Sequence, residues 1–167
     1  MVALHKRVEI EIPRTSPSCY LSGYYALNLH MPEDETSGDW HFSSYYYPSN
    51  ADAKVTLAGE GHEVNTNPAL KNIGIRRVDS FLLLKGFVDQ GVEVFAANHY
   101  RAIVDIACAF AVIYEVFPKQ INNREVNAYL DTEAQIARLK RDYVKPVVDE
   151  THNKILADWY DSLEYLP

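Results

Sequence analysis

Cysteine is scarce in this sequence. The 167-residue chain holds two, Cys19 and Cys108, too few and too far apart for a disulfide framework or a CxxC metal clip. Long apolar runs are missing as well. The longest, residues 102–117, is interrupted by Asp105 and Glu115 and is too short to span a bilayer. The first residues, Met1-Val2-Ala3-Leu4-His5-Lys6-Arg7, lack the apolar stretch of a secretion signal. Together these absences predict a chain of the reducing cytosol with no membrane span. Dense basic clusters are also absent. The nearest is Arg138, Lys140, Arg141 and Lys145, interleaved with Asp142, in a chain of net charge −7. Phosphate neutralisation supplies much of the affinity for nucleic acid, so direct DNA or RNA binding is disfavoured. No GxGxxG, GxxxxGK, HExxH or GxSxG segment occurs, and no cofactor or metal is expected.

What is present is a chain rich enough in apolar residues, 47%, to bury a core without staples. Tyrosine is frequent, at 12 residues, and its half-apolar ring suits strands and interfaces. Val8, Ile10 and Ile12 alternate with Glu9 and Glu11, the period of a strand with one wet face, stopped by Pro13. Residues 19–29 read as a second strand bent at Gly23, residues 40–47 as an extended aromatic segment, and residues 55–57 and 92–95 as short strands. Residues 78–88 fit either a buried strand or a short helix. Residues 98–116 are apolar on most sides, the mark of a central helix. Helices are then expected from Asn123, from residues 131–133 through Tyr143 with Pro146 breaking or kinking the chain beyond, and over residues 150–163. The expectation is one α+β domain over residues 1–167. Its residues 1–97 are β-rich and antiparallel and pack on a central buried helix, and residues 98–167 are helical.

Two polar clusters stand out. In Thr36-Ser37-Gly38-Asp39-Trp40-His41, Asp39 and His41 share a face if the segment is extended. That pair fits acid–base work or metal ligation, and equally a tight turn whose Asp and Ser bond the backbone. In Asn98-His99-Tyr100-Arg101, with Asp105 beyond, a helix places Asn98, Arg101 and Asp105 on one polar stripe. Its roles are an internal ion pair with an Asn cap, or an Arg presented to an anion or a partner carboxylate. A candidate polar pocket therefore comprises Asn28, Ser37, Asp39, His41, Asn98, His99, Arg101 and Asp105. Near the C-terminus Leu156, Trp159, Tyr160 and Leu163 fall at i, i+3, i+4 and i+7. This apolar stripe needs a cover, either its own domain or a partner chain, in which case it is the candidate interface.

The run Tyr25-Ala26-Leu27-Asn28, then Thr36 to His41, then Ala97-Asn98-His99-Tyr100-Arg101-Ala102-Ile103-Val104-Asp105 resembles a group of small uncharacterised bacterial proteins. These carry ALN…TSGDWH and ANHxRAxxD segments, and their genes often neighbour abortive-infection nucleotidyltransferase-like genes in toxin–antitoxin arrangements. The resemblance covers roughly residues 25–105. It departs after His41, where Phe42-Ser43-Ser44-Tyr45-Tyr46-Tyr47 replaces a tryptophan-containing continuation. No catalytic role comes with the group. The resemblance implies an antitoxin-like accessory component that binds a partner protein or itself, and the acidic balance and the C-terminal stripe agree with that. The alternative is a small hydrolase or nuclease built on the Asp, His and Arg of the polar pocket.

Overall fold

The structure is a computed structural model and describes residues 8–38 and 40–167. It is α+β, but the sheet is small. Strand β1 (Cys19–Leu21) leads at Gly23 directly into helix α1 (Gly23–Leu27). Gly23 takes φ +60°, a left-handed turn that glycine makes without steric cost. Helix α2 (Phe42–Tyr46), strand β2 (Leu57–Gly59), helix α3 (Asn67–Leu70), strand β3 (Ile75–Arg77), helix α4 (Asp79–Leu84) and strand β4 (Phe95–Ala97) follow. The order across the sheet is β2-β1-β4-β3. Strands β1 and β4 run parallel, while β1–β2 and β3–β4 are antiparallel.

The β-rich, antiparallel first two-thirds is therefore corrected to a mixed sheet of three-residue strands interspersed with short helices. Residues 24–27, 42–46 and 79–84 are aromatic and leucine runs without alternation, and burial drives such runs into helix or strand alike. Residues 8–12 form no strand. Val8 and Ile10 donate to the carbonyls of Pro48 (3.1 Å) and Tyr46 (3.3 Å). Tyr46 is the last residue of α2, whose terminal carbonyls offer acceptors but no ladder.

The expected central helix is present. Helix α5 (His99–Cys108) is buried along its whole length and continues as a π-helical turn, Ala109–Ile113. Beyond it come a 3-10 turn (Lys119–Ile121) and helices α6 (Asn123–Tyr129), α7 (Glu133–Arg138), α8 (Lys145–Thr151) and α9 (Lys154–Ser162). Asn122, one residue earlier than the sequence suggests, caps α6 by accepting from Arg124 and Glu125. Pro146 does not end the helix. A π-helical turn, Leu139–Val144, joins α7 to α8, and Pro146, which has no N–H to donate, stands at the start of α8 just past that turn.

One core lies between the sheet and the helices α5 to α9, around Tyr20, Ile103, Leu139 and Trp159. The other lies on the opposite face, around Leu21, Tyr46, Leu82 and Ala96. Tyr20 and Leu21 enter different cores because successive residues of a strand face opposite sides. The C-terminal stripe belongs to the first core. Leu156, Trp159 and Leu163 are buried there and Tyr160 packs at its margin. The Trp159 indole donates to the Ile121 carbonyl at 2.8 Å. The stripe's cover is the chain itself, so these four residues do not form a free interface. No helix among the described residues is long and apolar enough to cross a membrane.

Candidate functional site

The N-terminus of α5 organises the polar residues. Asn98 stays extended, and its Oδ1 accepts the Arg101 N–H at 2.9 Å, which starts the helix. His99 follows and is buried to 1% exposure. Its Nε2 lies 2.9 Å from the Leu29 carbonyl and its Nδ1 2.6 Å from the Thr36 hydroxyl. A carbonyl only accepts, so Nε2 carries the proton, and the bare Nδ1 accepts from Thr36. Burial, with smaller pushes from Arg76 and His30, lowers the His99 pKa to about 4, against the pull of Asp34 and Leu29. The imidazole is neutral at pH 7.

The loop before residue 39 is moulded on that ring. A Cβ at Gly38 would sit 2.6 Å from His99 Cε1 and 2.7 Å from the Leu27 carbonyl, so only glycine fits. Ser37 donates from its hydroxyl to Asp131 (2.7 Å) and from its backbone to Tyr129 (2.9 Å). Asn28 is buried, takes the His41 backbone N–H on Oδ1 at 3.0 Å, and donates to Tyr24 O. The two clusters thus meet, through Thr36, Gly38 and His99. Asp39 lies outside the described residues. The His41 side chain is exposed and joins the assembly through its backbone. Thr36 stood in the quoted segment, yet its role as the hydroxyl on His99 had no signal in the sequence.

Arg101 and Asp105 belong to a different network. Arg101 is fully buried and donates to Tyr20 Oη (3.1 Å), Asn67 Oδ1 (2.9 Å) and the carbonyls of Lys71 (3.2 Å) and Ile73 (2.7 Å). Asp105 accepts from Ser22 (2.6 Å) and Thr66 (2.7 Å) and lies 3.8 Å from Arg101. Burial raises its pKa, opposed by Arg101 and the two hydroxyls. Tyr20, Ser22, Thr66 and Asn67 come from strand and loop segments with no pattern that marks them as partners. Among the described residues, Arg76 Nε is the one buried side-chain polar atom without a partner. The buried donors and acceptors of both clusters, among the described residues, are thus consumed internally, while the His41 side chain stays exposed.

A polar cleft of about 240 Å³ opens beside the His99 assembly, lined by Glu35, Thr36, Asn98, Tyr100 and Arg138 among others. Its groups bind each other. Glu35 accepts from Tyr100 (2.8 Å) and Arg138 (2.6 Å), and the Arg138 guanidinium lies over the Tyr100 ring. Burial and Glu35 raise the Tyr100 pKa, so its phenol stays protonated. Outside the clusters, Cys19 Sγ lies 3.3 Å from His62 Nε2. Burial and Glu60 raise the thiol's pKa, the reverse of an activated nucleophile. Among the described residues no three His, Cys, Asp or Glu side chains gather as metal ligands would. Comparison with protein-family models, with curated proteins and with solved structures finds no match to this chain.

Proposed function

We propose that this chain is an accessory, antitoxin-like component of a cytosolic bacterial defence module that acts by binding a partner protein. The observation that carries the reading is the internal saturation of the buried polar residues His99 and Arg101. His99 is neutral and bonded at both nitrogens, and Arg101 spans four partners at zero exposure. A catalytic reading needs an acid, base or nucleophile open to substrate, and these groups have no such opening. The net charge of −7 supports a basic partner.

The test is co-expression with the product of an adjacent nucleotidyltransferase-like gene. The expected result is growth rescue together with a stoichiometric complex in size-exclusion chromatography. Rescue without a complex, combined with its loss in a folded His41→Ala variant, would favour the hydrolase or nuclease instead.

A further inference from the structure

The two edges of the sheet are unlike. Strand β3 is Ile-Arg-Arg, and its arginines pair with Asp34, Asp79 and Glu93. Charge of this kind blunts an edge against further pairing. Strand β2 is Leu-Ala-Gly, with no charge at all. Its bonds to β1 are flanked by Ser22 N to Thr56 O (3.0 Å) and Glu60 N to Ser18 O (2.7 Å), and Leu57 faces Leu21. Leu57 is therefore at a non-bonded position of the ladder, and its N–H and C=O point outward. Neither these groups nor the N–H and C=O of Val55, two residues before the strand, have a partner among the described residues. One residue pair further on, the same edge is closed, because Gly59 N bonds Val64 O at 2.8 Å.

Clefts flank this open stretch on both faces. On the helix side lies an apolar cleft of about 300 Å³ walled by Tyr24, Ala58, Ile106, Phe110 and Tyr114, with Asp105 at its lining. The π-helical turn Ala109–Ile113 forms part of that wall, and such turns recur at functional sites. On the other face a groove runs between Glu9, Glu11, Lys54 and Leu57. An added strand presents alternate side chains to opposite faces. Opposite Leu57 its side chain would lie over Glu9 and Glu11, and its two neighbours would enter the aromatic cleft.

We propose that the outer edge of β2 is a docking groove for an extended segment of a partner protein in which apolar or aromatic residues alternate with basic ones. The segment adds as a strand beside Val55 and Leu57. Main-chain bonds supply affinity, and the two clefts supply specificity. This rests on the partner-binding reading above and names its site and its partner's chemistry.

The probe is a short fluorescein-labelled synthetic peptide alternating Leu or Tyr with Lys, followed by anisotropy against the full chain. A peptide of the same composition with its lysines in one block controls for attraction to an acidic protein. The alternating peptide is expected to bind and the blocked one not. N-methylation of every second residue should abolish binding in one phase and spare it in the other, because only one set of N–H groups faces β2. Leu57→Pro removes the outward donor at an edge position where proline is tolerated and should weaken binding roughly tenfold, the equivalent of one lost bond. Ala109→Phe, which fills the cleft, serves if that variant fails to fold. Equal binding of both peptides, or equal effects of both N-methylation phases, overturns the proposal. So does a dimer in sedimentation that Leu57→Pro dissolves, since a second copy would then own the edge. If the chain forms its stoichiometric partner complex and Leu57→Pro leaves it intact, this inference falls and the partner-binding reading stands. If no complex forms with the adjacent gene product, that reading falls on its own terms.

Discussion

His99 is held neutral by burial and bonded at both nitrogens, and its proton balance makes stability depend on pH. Its pKa is about 4 in the folded chain and about 6.5 when unfolded. Between those values the unfolded state binds the extra proton, so stability is full above about pH 6.5 and falls as pH drops toward 4. The loss attributable to this group is about 3 kcal/mol. Urea unfolding across that window should show a steep slope that His99→Gln, which keeps a donor for Leu29, flattens. An unchanged slope would mean the ring is not buried as described. Arg101 gives a second prediction. Arg101→Met strips the carbonyls of Lys71 and Ile73 and leaves Asp105 uncompensated, at a cost of about 3–5 kcal/mol. Arg101→Lys should rescue little of this, since an ammonium cannot span the same fork of partners. Full stability of the lysine variant in urea would contradict the network. The sequence marked Asn98, His99, Arg101 and Asp105 as special because polar groups in an apolar helix need partners. It could not divide them between two networks, because the partners Thr36, Tyr20, Ser22, Thr66 and Asn67 carry no periodic signature.

The elements that were legible are those with caps and long periodicity. Asn98 and Thr132 sit at helix starts, and the apolar stretch after Asn98 is the central helix. The short strands were not legible. A three-residue strand is too brief for alternation to be distinguished from a buried helical turn, and β3 carried two arginines that disguised it. Helix α9 starts later than the sequence suggests because His152 takes φ +52° and Asn153 caps. Its stripe docks inside the chain, and that has a measurable consequence. The double change Trp159→Ala and Leu163→Ala removes buried apolar area and the bond to Ile121. It should lower the melting temperature by on the order of 10 °C and leave the elution volume of the isolated chain unchanged. Unchanged melting with altered association would return these residues to an interface role.

At the scale of the whole molecule, the sheet serves as a partition between two cores, and the central helix holds both polar networks against it. That arrangement places buried polarity where it fixes the packing of loop 36–38 on His99 and of β1 on Arg101. The proposed partner contact lies away from these networks, along the outer edge of β2. The central claim is that the buried polar residues around His99 and Arg101 act through folding alone. The most direct test measures partner capture per folded molecule, alongside melting temperature, for Thr36→Val, His99→Gln, Arg101→Met and Asp105→Asn. The account predicts that capture tracks the folded fraction in every variant and returns to the wild-type level when a stabilising osmolyte restores folding. A variant that melts like the wild type yet captures no partner would contradict it.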